Sequence, residues 1–257
     1  MSIHRPRFLA VVLLAAAAGA AACGQSPPAG QVTNSTTNPV GTAEAPTDTT
    51  TTTTAEREFA YQPLWPFADA DEAAAWQDSY RTSGHQPWHL DAEETAVAFT
   101  TGYLGFAEID QALSSDVDGD EAWVTVGYAV EQSDPGPAAV VHLARIGTGD
   151  DAPWEVVGTR DTTLTLTEPR YGTTITTPVT VGGQVTGIDE SIRVQVRKLS
   201  GVLGESCCLA AGGENTPWTT AVSYEGADSA PLTIVASTGG HVADVERFAI
   251  TGVRHGA

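Results

Sequence analysis

The sequence predicts an α+β unit followed by an all-β two-sheet sandwich, both carried on an exported polar stalk. Three observations lead there. Stretches opening at Asp69 and Asp91 carry helix-start signals and an apolar period near 3.6 residues. From Ala122 the period becomes two. Beyond Pro169 no helical period remains, only short alternating runs cut by Gly and Pro.

The chain opens with His4, Arg5 and Arg7, continues as an apolar run from Phe8 to Ala22, and reaches Cys23 through Ala20-Ala21-Ala22. A basic flank, a short apolar stretch and small residues before a cleavage point describe an export signal. The run is shorter than the roughly 20 residues that a permanent membrane helix needs. It resembles the lipobox of bacterial lipoproteins, with Ala20 where that pattern usually has Leu. The resemblance implies cleavage before Cys23 and diacylation of its thiol, so residues 1–22 are expected to be a signal peptide and Cys23 the lipid-attachment site. The alternative is plain secretion with a free Cys23. One acyl chain anchors marginally, at about 0.8 kcal/mol per buried CH₂, while two hold stably.

Residues 23–58 read as a disordered linker. Gly24 to Glu58 contains 11 threonines, scattered Pro, Gly and Ser, and only Val32 and Val40 as aliphatics larger than Ala. Such a stretch buries too little apolar area to offset its ordering entropy. As a flexible coil it spans roughly 30–35 Å on average. Thr/Ser-rich stalks with Pro also carry O-glycans.

The formal net charge is −20, and Lys198 is the single lysine. Cleavage before Cys23 removes Arg5 and Arg7 and no acid, which takes −20 to −22. So acidic a surface repels phosphate backbones and anionic headgroups, which argues against nucleic-acid binding. Membrane attachment is expected through the acyl groups alone. The Ala-, Gly-, Thr- and Asp-rich, Lys-poor composition resembles that of high-GC actinobacteria.

Residues 59–168 are expected to form the α+β unit. Asp69 and Glu72 make one capping box, and the helix they open places Ala73, Trp76 and Tyr80 on one face before stopping at Ser83-Gly84. Asp91 and Glu94 make a second, opening a helix to about Phe106 with Ala96, Phe99, Tyr103 and Phe106 at helical spacing. Ala122, Val124, Val126, Tyr128 and Val130 then alternate as a half-buried strand. Residues 138–145, 154–159 and 163–167 read as three more strands, with Gly147 to Asp151 turning between the first two. Two helices ahead of an antiparallel sheet give the α+β layout.

Residues 169–257 hold about seven short strands, at 173–176, 179–186, 191–198, 207–211, 217–224, 231–238 and 246–253. In the third, Ile192, Val194 and Val196 point one way and Arg193, Gln195 and Arg197 the other. This part resembles the immunoglobulin-like domain of bacterial spore-germination-associated proteins. The resemblance rests on Thr173 to Gly187 with Pro178, Val179, Val181 and Gly183, on the strands at 190–198, 217–224, 231–238 and 248–253, and on Trp218. It implies an immunoglobulin-like sandwich on an envelope lipoprotein and brings no catalytic residues.

The chain holds no G-x-S-x-G elbow, H-E-x-x-H, P-loop, dinucleotide glycine pattern or C-x-x-C. Asp116, Asp118 and Asp120 begin like a calcium loop, but Glu121 and Gly127 stand where an EF-hand needs Gly and Glu. A solvated acidic turn is the reading. His85, Trp88, His89 and Asp91 could line a polar or metal pocket, yet Pro87 breaks the helical spacing of the histidines, so a packed inter-helix loop is expected. No metal and no cofactor is expected.

Cys207 and Cys208 are adjacent. Neighbouring Cα atoms lie about 3.8 Å apart while ordinary disulfides span about 4.4–6.8 Å, so a bond between them requires an eight-membered ring that distorts its peptide. Two buried thiols, or pairing between molecules, are the alternatives. Such a ring after a loop at 200–206 would suit a redox-responsive element. The function expected is a non-enzymatic binding or scaffolding module of the cell envelope, facing an envelope protein or glycan. The rival is a cell-wall hydrolase that uses carboxylates of the first unit, signalled by paired acids in a cleft, one with a raised pKa.

Overall fold

The helix-start signals at Asp69 and Asp91 both operate in the computed structural model, which describes residues 59–160, 162–188 and 190–256. The readings at Cys23 and on residues 1–58 lie outside these residues. Asp69 Oδ1 accepts from the Glu72 amide at 2.9 Å and Glu72 Oε2 accepts from the Ala68 amide at 2.7 Å, so donors at the helix start are satisfied reciprocally. The helix α1 (Ala70–Ser83) ends on Gly84 in the left-handed region, and buries Ala73, Trp76 and Gln77. Asp91 accepts from the amides of Glu93 and Glu94 and opens α2 (Ala92–Ala98). A wider π-helical turn, Phe99–Leu104, prolongs α2 and closes on left-handed Gly105. Phe99 and Tyr103 thus stay on the buried side.

That side faces an antiparallel sheet of β1 (Gln111–Asp118), β2 (Glu121–Tyr128), β3 (Gly136–Arg145) and β4 (Trp154–Arg160), in the order β1-β2-β3-β4. Ala96 and Phe99 pack with Val124, Val126, Val141, Leu143 and Val156 in one core. The strand β1 is absent from the sequence reading, which places only an acidic turn here. Gly119 does turn the chain, with φ 62°, but the run before it is an edge strand whose residues are exposed or half-buried. A strand with no buried face carries no alternation to read.

The second set of strands is β5 (Thr174–Ile175), β6 (Val179–Val185), β7 (Ser191–Lys198), β8 (Gly201–Ala210), β9 (Thr216–Val222), β10 (Pro231–Thr238) and β11 (Arg247–His255). They form a five-stranded sheet, β5-β11-β10-β7-β8, and a two-stranded sheet, β6-β9. Pairing is antiparallel except for β5 with β11. Val181 and Trp218 of the smaller sheet share a core with Ile192, Val194, Val196 and Ile234 of the larger. The chain is therefore mostly β, with two helices and antiparallel sheets.

Two expectations are corrected. The strand expected at 163–167 does not extend the first sheet. It runs along β6, where Glu168 and Gly182 exchange amide hydrogen bonds of 2.9 Å and the Thr165 amide donates to the Gln184 carbonyl at 3.0 Å. Glycine permits this: a Cβ on Gly183 would stand 2.0 Å from the Thr165 carbonyl oxygen. Leu164 and Leu166 consequently bury in the second core. The loop expected at 200–206 is the first half of β8, where Gly201 and Gly204 remove the side chains that would have shown a period.

The larger sheet is covered on both faces. Val235, Phe248 and Ile250 join the core built by α2 and the first sheet. Arg197, in the same face, lies 4.9 Å over the Tyr103 ring and donates to the Tyr103 carbonyl. The described residues form one compact unit.

Candidate functional site

Where the larger sheet runs out from under the π-helical turn, a groove of about 530 Å³ opens. Leu104 to Phe106 form one wall, and Asp244 and Val245, from the loop between β10 and β11, the other. Both walls are fixed. The amides of His241, Val242 and Ala243 converge on Glu246 Oε1 at 2.8, 2.5 and 3.3 Å. Burial alone would raise the Glu246 pKa, but these amides outweigh it and hold the carboxyl below its usual range. The Asp244 amide donates to Glu108 Oε2 at 2.7 Å and ties this loop to the opposite wall.

The floor is the outer face of β7 and β8. Arg197 Nη1 donates to Gln195 Oε1 at 2.7 Å and orients that amide. Cys207 and Cys208 lie beside it, joined as a vicinal disulfide with Cα atoms 3.7 Å apart. The register explains how the strand accommodates the ring. Val194 pairs with Ser206 and Ile192 with Leu209, so both cysteines stand opposite Arg193 in a bulge. In a regular strand adjacent side chains point to opposite faces; a bulge breaks that alternation and turns both sulfurs to one side. Cys208 takes the left-handed conformation, φ 68°. Both cysteines and Arg193 are exposed, and the Arg193 guanidinium has no hydrogen bond or ion pair with a described residue.

The other residues singled out in the sequence do not converge. Asp91 caps α2, and the His89 ring sits 3.6 Å from Trp88 and 5.0 Å from both Phe67 and Trp76. Burial, with the charge of His85, lowers the His89 pKa to about 4. Asp116 lies in β1 opposite Trp123, while the Glu121 carboxylate is engaged elsewhere. Among the described residues no group of three or more His, Cys, Asp and Glu could hold a metal.

Sequence reasoning missed a polar array on the outer face of the first sheet. The Tyr61 hydroxyl donates to Glu121 Oε1 at 2.6 Å, and His142 Nε2 lies 3.1 Å from Glu121 Oε2. The Tyr61 bond, reinforced by His142, holds the Glu121 carboxyl below its usual range. Trp123 stacks on His142 with rings 6° from parallel, and the Arg160 guanidinium lies 5.0 Å from the Trp123 ring centre. These side chains come from β2, β3, β4 and the segment before α1, so no local pattern announces them. Glu155 was missed too. It is fully buried, accepts from the Phe67 amide at 3.1 Å, and leaves Oε1 unpartnered. Burial pushes its pKa well above the carboxylate range despite that bond.

The chain matches no family model, no curated protein and no solved structure.

Proposed function

We propose that this chain is an envelope lipoprotein, held on the extracytoplasmic face of the cell membrane by acyl chains on Cys23. It carries an α+β unit and an immunoglobulin-like sandwich above a Thr-rich linker, and acts as a non-enzymatic binding or scaffolding module. The observation that carries this reading is the groove between the π-helical turn and the β10–β11 loop. It is wide enough for a small ligand or a side chain of a partner, since ligand sites occupy about 300–1,000 Å³. The Gln195 amide in its floor is oriented by Arg197, and the wall at 244–245 by Glu246 and Glu108, rather than by the ligand, which lowers the entropy lost on binding. The acid with the strongly raised pKa, Glu155, is sealed in the interior and borders none of the described pockets. A glycosidase-type acid must reach its substrate.

The test places a photo-crosslinking amino acid at Gln195 in the groove and, as control, at Thr180. A defined envelope protein or glycan fragment captured from Gln195 alone, in intact cells, supports the binding reading. Cys23→Ser is expected to move the protein from the membrane fraction to the medium. Hydrolysis of peptidoglycan by the purified chain, abolished by one Asp or Glu change, would replace this reading with the hydrolase.

A further inference from the structure

We propose that the Cys207–Cys208 ring is a thiol–disulfide exchange site for a low-molecular-weight thiol seated in the groove. The proposal rests on the groove as the ligand-facing surface and is independent of lipidation.

The ring does not serve as a structural staple. A disulfide stabilises chiefly by closing a loop in the unfolded chain: a 15-residue loop gives about 3 kcal/mol, and the effect shrinks with the loop. Cys207 and Cys208 have no residues between them, so this contribution is at its minimum. The bond instead fixes the local shape of β8, whose bulge turns both sulfurs into the groove. Burial is not its role either, because both cysteines are exposed. The sulfurs are therefore open to an attacking thiolate.

Arg193 supplies the second requirement. It stands opposite the two cysteines in the register and lines the same groove. Its guanidinium forms no ion pair with a described residue, so its charge is available to a thiolate; Asp244 is the acidic residue that shares the groove lining. Exchange is faster when the leaving thiol has a lower pKa, and a neighbouring guanidinium lowers it. Arg193 is thus a positioning and electrostatic residue rather than the group that reacts.

The chemistry balances without another oxidant. The ligand thiolate attacks one Sγ of the ring, a new S–S bond forms, and the ring S–S bond breaks. Its electron pair leaves on the second Sγ as a thiolate beside Arg193, which then takes a proton from water. A second ligand thiol attacks the mixed disulfide and releases the oxidised ligand disulfide. The protein gains two electrons and two protons, and the two thiols lose them. Reduction also frees Cys208 from the ring that holds it in the left-handed region. The bulge can then relax, which couples redox state to the groove floor.

The test uses the full chain purified in detergent from an oxidising compartment, with reduced glutathione as probe. Acid quenching, alkylation and mass spectrometry of the Cys207–Cys208 peptide read the outcome, so the state of Cys23 does not enter. The expected result is no alkylated thiol before glutathione, then a glutathione adduct on one cysteine, then the dithiol. Arg193→Gln is expected to slow reduction roughly three- to tenfold with unchanged melting, from the loss of one near charge. Arg193→Lys should restore most of the rate, and Cys207→Ser, which leaves no ring to attack, should give no adduct with reduced glutathione and an adduct on Cys208 with oxidised glutathione, one glutathione thiol being released. Alkylation of both cysteines before glutathione, or equal rates for wild type and Arg193→Gln, would overturn the proposal. Failure here with Gln195 crosslinking intact leaves a groove that binds without exchange; the converse leaves exchange without the proposed partner.

Discussion

Cutting the chain at residue 170 measures how far its two halves depend on each other. The fragment 170–257 retains all the strands from β5 to β11 but loses what covers their second face. Val235, Phe248 and Ile250 are 1%, 1% and 4% exposed in the whole chain and pack into the core of α2 and the first sheet. Fully burying such a side chain is worth about 1.5–3 kcal/mol, so exposing the three costs up to about 5–9 kcal/mol. The cut also removes Leu164 and Leu166 from the other core, leaving unfilled space beside Val181 and Val185. Against a typical net stability of about 5–15 kcal/mol, these losses suffice to unfold the fragment. Circular dichroism melts of 170–257 and 59–257, with dye binding to exposed apolar surface, provide the assay. A broad or absent transition and strong dye binding are expected for the shorter piece. If it melts cooperatively close to the longer one, the shared core contributes nothing and the argument fails.

Three further outcomes follow from single residues. Glu155 carries a raised pKa, so the stability of its neutral form is complete below the unfolded value and is lost as pH rises through the folded one. Urea melts from pH 5 to 9 should therefore show Glu155→Gln gaining on wild type, by at most about 1.4 kcal/mol per pH unit; a constant difference would refute this. His89 acts in the opposite sense: lowered to about 4, it should cost stability as pH falls from its ordinary value near 6.5 toward 4, and His89→Gln should remove that acid-side loss. Gly183→Ala drives a Cβ into the Thr165 carbonyl and is expected to cost about 1–3 kcal/mol while detaching 163–168 from β6. Unchanged urea midpoint and unchanged amide exchange at Thr165 and Gln184 would count against it.

The sequence alone determined the elements whose signals are local. Asp69 and Asp91 marked helix starts because a side-chain oxygen at the cap satisfies amides two or three residues on, a contact needing no tertiary partner. Alternation located β2, β3, β7 and β10, because each turns an apolar face to a core. It also placed Cys207 and Cys208 side by side, where only a distorted ring can join them. Tertiary structure decided what periodicity does not encode. β1 has no buried face, and glycines blank the first half of β8, so neither announces itself. The segment 163–168 alternates equally well beside either sheet; the missing Cβ of Gly183 chose β6. Burial of Arg197 and Val235 required a second layer on a face that reads as outward. The candidate site is legible only in part for the same reason. Arg193 meets the cysteines through a strand register, and the groove walls through loops distant in sequence, and both are set by how the layers pack rather than by any neighbouring residue.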